Sequence, residues 1–268
     1  MRRTISVMAI ILSVMLAVQP AIASEKKQQS DRGMKVPEYV VNISKENTYP
    51  NPTQDLPHLQ PSPLARKLLD SVHVKIENPT LIKMLNETSV NPSKASIGFR
   101  AKIFLGEWPL SYESEETNVN WEFRKVNVNK VDNRGGTTMQ KIFYEQDKDQ
   151  RVSGDLTAKV NNSDEVKKMM MMAAAEKTGL PLAFQTVIGK GTKKDQVYNV
   201  PPKKFAYLNA FVPAVNEKGK VTYGEVYLVL TGSRMEIEVK NITHQGIGAW
   251  IPIQDHIALK YVAGNPAY

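Results

Sequence analysis

The chain has 268 residues, of which 41% are hydrophobic and 23% charged, a composition typical of a globular protein. It contains no cysteine, which excludes disulfides, thiolate metal sites, a cysteine nucleophile and a lipidated N-terminal cysteine. The formal net charge of +8 favours contact with anionic surfaces such as wall polymers, lipid headgroups or nucleic acid, but a solvated lysine-rich surface explains the same excess.

Residues 1–23 have the pattern of a secretory signal peptide. The basic start Met1–Arg3 precedes the almost wholly apolar segment Ile5–Val18, and the small residues Ala21 and Ala23 follow. The apolar segment is shorter than the ~20 residues that a membrane span needs. We therefore expect cleavage after Ala23, no stable transmembrane span after processing, and a mature protein that is secreted or associated with the cell envelope. Removing 23 residues from 268 leaves 245, and the loss of two arginines lowers the net charge from +8 to +6.

Beyond the leader we expect an N-terminal arm over residues 24–62 and a single α+β domain over residues 63–268. The arm is polar at first, and we expect residues 24–35 to be disordered. Val36–Ile43 has the pattern of a short strand, with Tyr39, Val41 and Ile43 on one face. The proline-rich segment Pro50–Pro63 is expected to be irregular but docked on the domain.

Two short helices follow the arm. Pro63–Asp70 is expected to be helical, with Ser62 as its N-cap. Asn78 and Pro79 are typical of the cap and first position of a second helix, which is predicted to end near Glu87.

The next segments alternate between apolar and polar residues, which is typical of strands with one solvated face. The turn at Val131–Gly136 separates two of them, and Asn216–Gly219 has the composition of a hairpin loop. The expected strands are Ile97–Leu105, Val119–Phe123 with a bulge before Val126 and Val128, Thr137–Gln146, Val152–Val160, Phe205–Val212, Val221–Leu230, Met235–Val239 and Ile257–Val262. We therefore predict an α+β fold, predominantly antiparallel β-sheet with two or three packed helices.

The strongest helix is predicted between Ser163, which can cap it, and Gly179, which can close it. It contains the run Met169–Met172. Methionine thioethers can bind copper(I), but Val166, Met169, Met170 and Ala173 share one helical face, which favours packing in the core.

No motif specifies a reaction, a cofactor or a metal, so the sequence assigns no catalytic, cofactor or metal residue. Glu113, Glu115 and Glu116 form an acidic cluster in an expected loop, and paired carboxylates serve glycoside hydrolysis. His244 and His256 are expected to approach each other if the chain reverses around Trp250, which is itself either a core residue or an exposed anchor. Gly189–Lys194 lacks the spacing of a phosphate-binding loop and is predicted to be a turn.

Several long strings resemble the YfkD-like family of exported Bacillus proteins. They are Lys45–Pro57, Lys75–Pro79, Val131–Gly136, Asn216–Tyr227 and Gln245–Pro252. The resemblance covers most of the mature chain and implies a signal peptide and an envelope or extracellular location. It implies no activity, ligand or catalytic residue.

The absence of a catalytic motif, the proline-rich arm and the basic charge favour a non-enzymatic exported protein that has a binding, structural or assembly role. Its expected partner is an anionic wall polymer or another envelope protein. The alternative is a hydrolase of wall polymers that uses carboxylates, with His256 as a further candidate group. Nucleic-acid binding is not expected, because the sequence shows no basic patch with interleaved aromatic residues.

Overall fold

The structure is a computed structural model that describes residues 34–52, 59–88, 98 and 100–264. These residues all belong to one compact unit. The predicted leader, the predicted disorder of residues 24–33, the proline-rich residues 53–58 and the start of the strand predicted from Ile97 lie outside the described residues. Within the described ranges, no helix is both long enough and apolar enough to cross a membrane.

Ten strands and three helices are formed by the described residues, and the fold is α+β with mostly antiparallel sheet, as the sequence indicates. The helices are α1 (Pro63–Leu69), α2 (Pro79–Asn86) and α3 (Ser163–Thr178). The strands are β1 (Val40–Asn42), β2 (Arg100–Asp132), β3 (Gln140–Glu145), β4 (Gln150–Ser153), β5 (Asp155–Leu156), β6 (Gln185–Ile188), β7 (Lys193–Val200), β8 (Phe205–Thr231), β9 (Arg234–Pro252) and β10 (His256–Gly264).

Strand β8 is the spine of the largest sheet. It pairs with β2 along one edge over its whole length, and with β10 and then β9 along the other edge. The strand order is β1-β10-β8-β9-β5, with β2 on the opposite edge of β8. The short pairs β3–β7 and β4–β6 lie outside this sheet.

Every irregularity in the pairing of β8 adds residues to its partner strand. The register with β2 shifts at five places, and at each of them β2 contains more residues than β8. The single shift with β9 adds a residue to β9, beside Asn241, whose φ is 49°. The side chains of β8 therefore alternate strictly between the two sheet faces along all 27 residues.

The buried face of β8 nevertheless changes twice along the strand. Buried residues occupy even positions first, then odd positions, then even positions again: Ala206, Leu208, Ala210 and Val212; Val215, Glu217, Gly219, Val221 and Tyr223; Val226, Leu228 and Leu230. At Val212–Val215 four consecutive residues are buried, because both faces are covered there. The core thus lies on one side of the sheet at each end of β8 and on the other side in the middle.

Three hydrophobic clusters correspond to these three segments. The first contains residues of β3, β4, β6, β7 and β10 around Ala206–Val212, and the second contains the buried face of α3. The third contains α1 and α2 against the last part of β8. Burial of apolar surface stabilises a fold by roughly 25 cal/mol per Å². Each cluster therefore stabilises the packing of one segment of the chain against β8.

The caps of α1 and α2 agree with the sequence prediction. The Ser62 hydroxyl accepts a hydrogen bond from the amide of Ala65, and the Asn78 side chain accepts from the amides of Thr80 and Leu81. Each cap satisfies amides that have no partner within the helix.

Helix α3 begins at Ser163, the residue that was predicted to be its N-cap. Asn162 is the N-cap, in the left-handed conformation with φ 51° and without a side-chain cap, so the prediction for Ser163 is wrong. Gly179 closes the helix with φ 69°, as predicted. Met169 and Met170 are buried, as the shared helical face indicates, and Met171 is buried with them.

The strand predicted at Val152–Val160 is wrong in its second half. It is interrupted at Gly154, after which the chain joins a different sheet, as β4 pairs with β6 and β5 pairs with β9. An added Cβ at Gly154 would overlap the carbonyl of Trp250, so glycine permits the close approach of the two chains. The strand predicted at Val36–Ile43 shrinks to β1, where Val40 rather than Val41 is buried.

The predicted hairpin loop at Asn216–Gly219 is also wrong, because these residues lie in the middle of β8. Gly219 is a packing residue and not a turn residue: an added Cβ would overlap the backbone carbonyl of Glu113 and crowd the Tyr112 ring. The glycine that gives this segment the composition of a turn is therefore explained by the close packing of β8 against β2.

The last part of the arm docks through side-chain amides. The Asn51 side chain accepts from the amide of Val187 at 3.0 Å and donates to its carbonyl at 2.9 Å, like a paired strand. Asn51 and Asn47 both donate to the Asp255 carboxylate, at 2.7 and 2.8 Å. Docking of the proline-rich segment is thus confirmed for its first described residues, Pro50–Pro52.

The replacement Gly219→Ala tests the uninterrupted spine. We expect it to destabilise the protein by about 1–3 kcal/mol or more, because backbone atoms must move to admit the methyl group. Gly246→Ala is the matched control, since an added Cβ there meets nothing within 4 Å. Urea unfolding of both variants measures the difference, and equal stabilities would contradict the packing described here.

Candidate functional site

The candidate binding face is the side of the β8 sheet that carries no helix at residues 205–211. Its residues on β8 are Phe205, Tyr207, Asn209 and Phe211, which alternate with the buried residues of the first core cluster. Directly opposite on the flanking strands lie Lys125, Val128, Lys130 and Asp132 of β2, and Ala258, Lys260, Val262 and Gly264 of β10. Residues that face each other in an antiparallel pair share one side of the sheet. We call this set the aromatic–cation face.

Each aromatic ring of this face lies beside a cation. The Lys125 nitrogen is 5.4 Å from the centre of the Phe211 ring, and the Lys130 nitrogen is 5.9 Å from that of Tyr207. The Arg134 guanidinium is 5.7 Å from the centre of the Phe205 ring. The cross-strand register sets the two lysine pairs, because Lys125 faces Phe211 and Lys130 faces Tyr207. Such contacts attract each cation toward the ring beside it, by about 0.5–1 kcal/mol at exposed sites.

Among the described residues, Lys125 and Lys130 have no acidic partner, which distinguishes them from Arg134 and Lys260 beside them. Arg134 pairs with Asp132 and, chiefly through its side-chain hydrogen bond, lowers the pKa of that carboxyl to about 2. Lys260 pairs with Glu122 at 2.9 Å. Among the described residues, no carboxylate lies within 4.0 Å of the nitrogen of Lys125 or Lys130.

An open groove runs beside this face, between β2 and β3, with a volume of about 870 Å³. Four lysines and two acids line it: Lys125, Lys130, Lys141, Lys148, Glu145 and Asp147. The side chains of Asn127 and Asn129 both donate to the Glu145 carbonyl, at 2.6 and 2.8 Å, and so bridge the two strands. The groove is therefore a basic channel with a fixed wall of amides.

A second polar arrangement is built around Glu217, whose side chain is fully buried in the middle of β8. Its carboxylate accepts hydrogen bonds from the hydroxyls of Tyr112 at 2.9 Å, Thr117 at 2.6 Å and Ser114. The ammonium group of Lys177 on α3 donates to the Ser114 hydroxyl at 2.7 Å. Three hydroxyls thus replace the water that this carboxylate loses on burial.

The arrangement around Glu217 is suited to holding α3 against the sheet. Burial, and secondly the charge of Glu217, raise the pKa of the Tyr112 hydroxyl far above its usual range, so that it remains a donor. The Ser114 hydroxyl donates a hydrogen bond to the Glu217 carboxylate, and the Lys177 ammonium group, in the last turn of the helix, donates to the oxygen of that hydroxyl.

The predicted acidic cluster is not in a loop. Glu113, Glu115 and Glu116 lie within β2, where Glu115 pairs with Lys220 at 2.6 Å and Glu116 pairs with Lys218 at 2.8 Å. Neither pair lies in the groove.

The predicted approach of His244 to His256 is wrong, because β9 continues through Trp250 to Pro252 and the chain turns only afterwards. The His244 ring contacts the Thr222 hydroxyl at 3.1 Å. The His256 ring contacts the Gln254 carbonyl at 2.8 Å. Among the described residues, no group of three or more His, Asp or Glu side chains is placed to hold a metal ion; His58 lies outside them.

Trp250 is half-buried and stacks on Phe123, with ring centres 5.1 Å apart. The turn predicted at Gly189–Lys194 is confirmed before β7, and its last two residues, Lys193 and Lys194, already belong to that strand. The sequence did not point to Lys125 and Lys130, which are distant in the chain from the aromatic residues they face. In Phe205–Val212 one set of alternating residues is apolar and the other is aromatic except for Asn209, so periodicity alone does not show which set is exposed.

The fold defines the class: a mainly antiparallel α+β protein built on one long central strand. The YfkD-like protein family model matches residues 37–267, and the chain belongs to this family. It is 59% identical over 244 residues to the "Uncharacterized protein YfkD" of Bacillus subtilis strain 168, covering 91% of this chain and 90% of that protein. A crystal structure of lamprey immune protein aligns with 61% of this chain and 53% of that chain, at 7% identity and a TM-score of 0.25, which is too low to support an argument about fold or function.

Replacing Tyr112 with phenylalanine tests the hydroxyl cluster. At neutral pH we expect a loss of about 1–3 kcal/mol, because the buried carboxylate loses one donor. The raised pKa of Tyr112 stabilises the fold below pH ~10, where the unfolded chain also keeps its proton, and this contribution is lost as the pH rises above that value. The stability of the wild type should therefore fall more steeply above pH ~10 than that of Tyr112→Phe.

The control is Tyr207→Phe, which removes the hydroxyl of an exposed tyrosine. Denaturant unfolding between pH 7 and pH 11 measures the stability of both variants and of the wild type. Parallel curves for Tyr112→Phe and the wild type would show that Tyr112 does not couple to the fold in this way.

Proposed function

We propose that this protein is a non-enzymatic binding protein that acts outside the cytoplasm and that its aromatic–cation face, with the adjoining groove, binds an anionic polymer of the cell wall. The expected location rests on the leader pattern of residues 1–23. The expected ligand is a linear polymer with repeated phosphate groups.

The observation that supports this proposal most strongly is the pair Lys125 and Lys130. Each lysine is exposed, faces an aromatic residue and has no carboxylate partner among the described residues. An ammonium group in this state can exchange water for a phosphate oxygen without first breaking an ion pair. Lys141 and Lys148 continue the same charge along the groove, so a linear polyanion meets several cations in succession.

The aromatic residues add a flat apolar surface between the charges. Tyr207 is 41% exposed, and its ring contacts that of Phe205, with centres 4.7 Å apart. Exposed apolar groups on a sheet surface are typical of binding sites when they are bordered by polar residues. At about 3.3 Å per residue, Phe205–Phe211 spans ~20 Å, enough for several repeats of a polymer.

Hydrolysis by carboxylates is less well supported. Such a reaction needs two carboxylates on either side of one bond of the substrate. Glu115 and Glu116 are held in ion pairs with Lys220 and Lys218 on an exposed part of the sheet. Glu217 is fully buried and occupied by three hydroxyls. The geometry therefore favours binding over this alternative.

The double replacement Lys125→Gln/Lys130→Gln tests the proposal. We expect the affinity for a purified polyol-phosphate polymer to fall at least tenfold, about 1.4 kcal/mol or more. Raising the salt from 0.1 to 1 M shortens the screening length from about 10 Å to ~3 Å and should weaken wild-type binding strongly. Sedimentation with wall material, before and after its phosphate polymers are removed, gives the same comparison on the natural surface.

The matched control is Lys218→Gln/Lys220→Gln. It removes the same charge from the same sheet, on β8 instead of β2, but its lysines are ion-paired to Glu116 and Glu115 and lie away from the aromatic–cation face. We expect a change of less than about twofold, because the aromatic–cation face is intact. Equal losses in both variants would mean that net charge alone attracts the polymer, and single-stranded DNA that binds more tightly through Lys125 and Lys130 would assign the face to nucleic acid instead.

A further inference from the structure

A pocket of about 480 Å³ lies where α3 meets the segment before α2, at Tyr112 of β2. Its inner wall is apolar and consists largely of the side chains of Pro79, Ile82, Tyr112, Met169, Met172 and Ala173. Its charged lining residues are Lys75, Glu77 and Glu176. The volume, and a lining that combines apolar side chains with a few charged groups, are those of a small-molecule site.

The Tyr112 hydroxyl and the charged groups of this pocket have partners among the described residues, with one exception. The Tyr112 hydroxyl donates to Glu217, so that the ring is what this residue can offer to the pocket. Lys75 pairs with Glu77 at 2.5 Å. Glu176 is exposed and has no hydrogen-bond or ion-pair partner among the described residues. The free charge at the pocket is therefore a carboxylate.

Two helix ends determine which ligand charge fits. The amides at the start of α2 do not remain free for an anion, because those of Thr80 and Leu81 donate to the Asn78 side chain and that of Ile82 donates to its carbonyl. Glu176 lies in the last turn of α3, where the helix carries partial negative charge. The last turn of α3 therefore favours a cation, and the start of α2 offers none of these three amides to an anion.

We infer that this pocket binds a small organic cation with an apolar body, such as an alkyl- or arylammonium compound. The apolar body lies among the thioethers of Met169 and Met172, which adapt to irregular shapes. The ring of Tyr112 lines the pocket, and a cation that lies above the face of an aromatic ring is attracted to it. The ammonium group pairs with Glu176. This site is separate from the aromatic–cation face, and neither proposal depends on the other.

Three probes that share one apolar body test the inference: 2-phenylethylammonium, 2-phenylethanol and 3-phenylpropionate. We expect calorimetry or ligand-observed NMR on the full protein to show the ammonium binding at least fivefold more tightly than the alcohol, and the carboxylate more weakly than either. Glu176→Gln should lower the affinity for the ammonium to that for the alcohol. Glu236→Gln, which removes an exposed acid of β9 away from the pocket, should leave all three affinities unchanged.

Filling the pocket provides a second test. Ala173→Phe places a ring in the cavity from a half-buried position on α3 and should abolish binding of both the ammonium and the alcohol. Met172→Trp fills the pocket from the neighbouring position. Binding is measured on whichever of the two variants keeps the melting temperature of the wild type, since that variant is folded. The inference is overturned if none of the probes binds, if the carboxylate binds as tightly as the ammonium, or if a folded pocket-filling variant binds as the wild type does.

Discussion

The regularity of β8 is the constraint on which the rest of the structure depends. Because all inserted residues lie in β2 and β9, the side chains of β8 alternate without interruption, and the three cores must lie on successive opposite faces. Each core leaves the reverse side of its segment bare. The aromatic–cation face is the bare reverse of the first core, and the ladder of Lys218–Glu116 and Lys220–Glu115 pairs is the bare reverse of the second. The candidate binding surface thus follows from the way the spine is packed.

Side-chain amides join the parts that backbone pairing does not. Asn51 pairs with Val187 as a strand would, and Asn127 and Asn129 fasten β3 to β2 through the Glu145 carbonyl. An amide side chain offers both a donor and an acceptor, so it can replace one residue of a sheet ladder. These bridges join parts of the chain that no disulfide connects, and the side chains of Asn127 and Asn129 form part of the groove wall.

Much of this architecture follows from local sequence. The caps at Ser62 and Asn78 and the closing Gly179 obey rules that act within a few residues, and the structure confirms them. The hairpin loop predicted at Asn216–Gly219 is wrong because Gly219 is required by its close packing against Tyr112, about a hundred residues earlier in the chain. The same limit hides the candidate site. Lys130 and Tyr207 become neighbours only through the register of β2 and β8, which no short segment of the sequence contains.

Amide hydrogen exchange at Glu217, Lys218 and Gly219 tests the uninterrupted spine most directly. These residues pair with β2 on one side and β9 on the other, so their amides should exchange as slowly as those of Val215 and Val221, close to the rate set by global unfolding. Rapid exchange confined to these residues would show that the chain forms a loop there. The alternation of cores, and with it the derivation of the aromatic–cation face, would then be wrong.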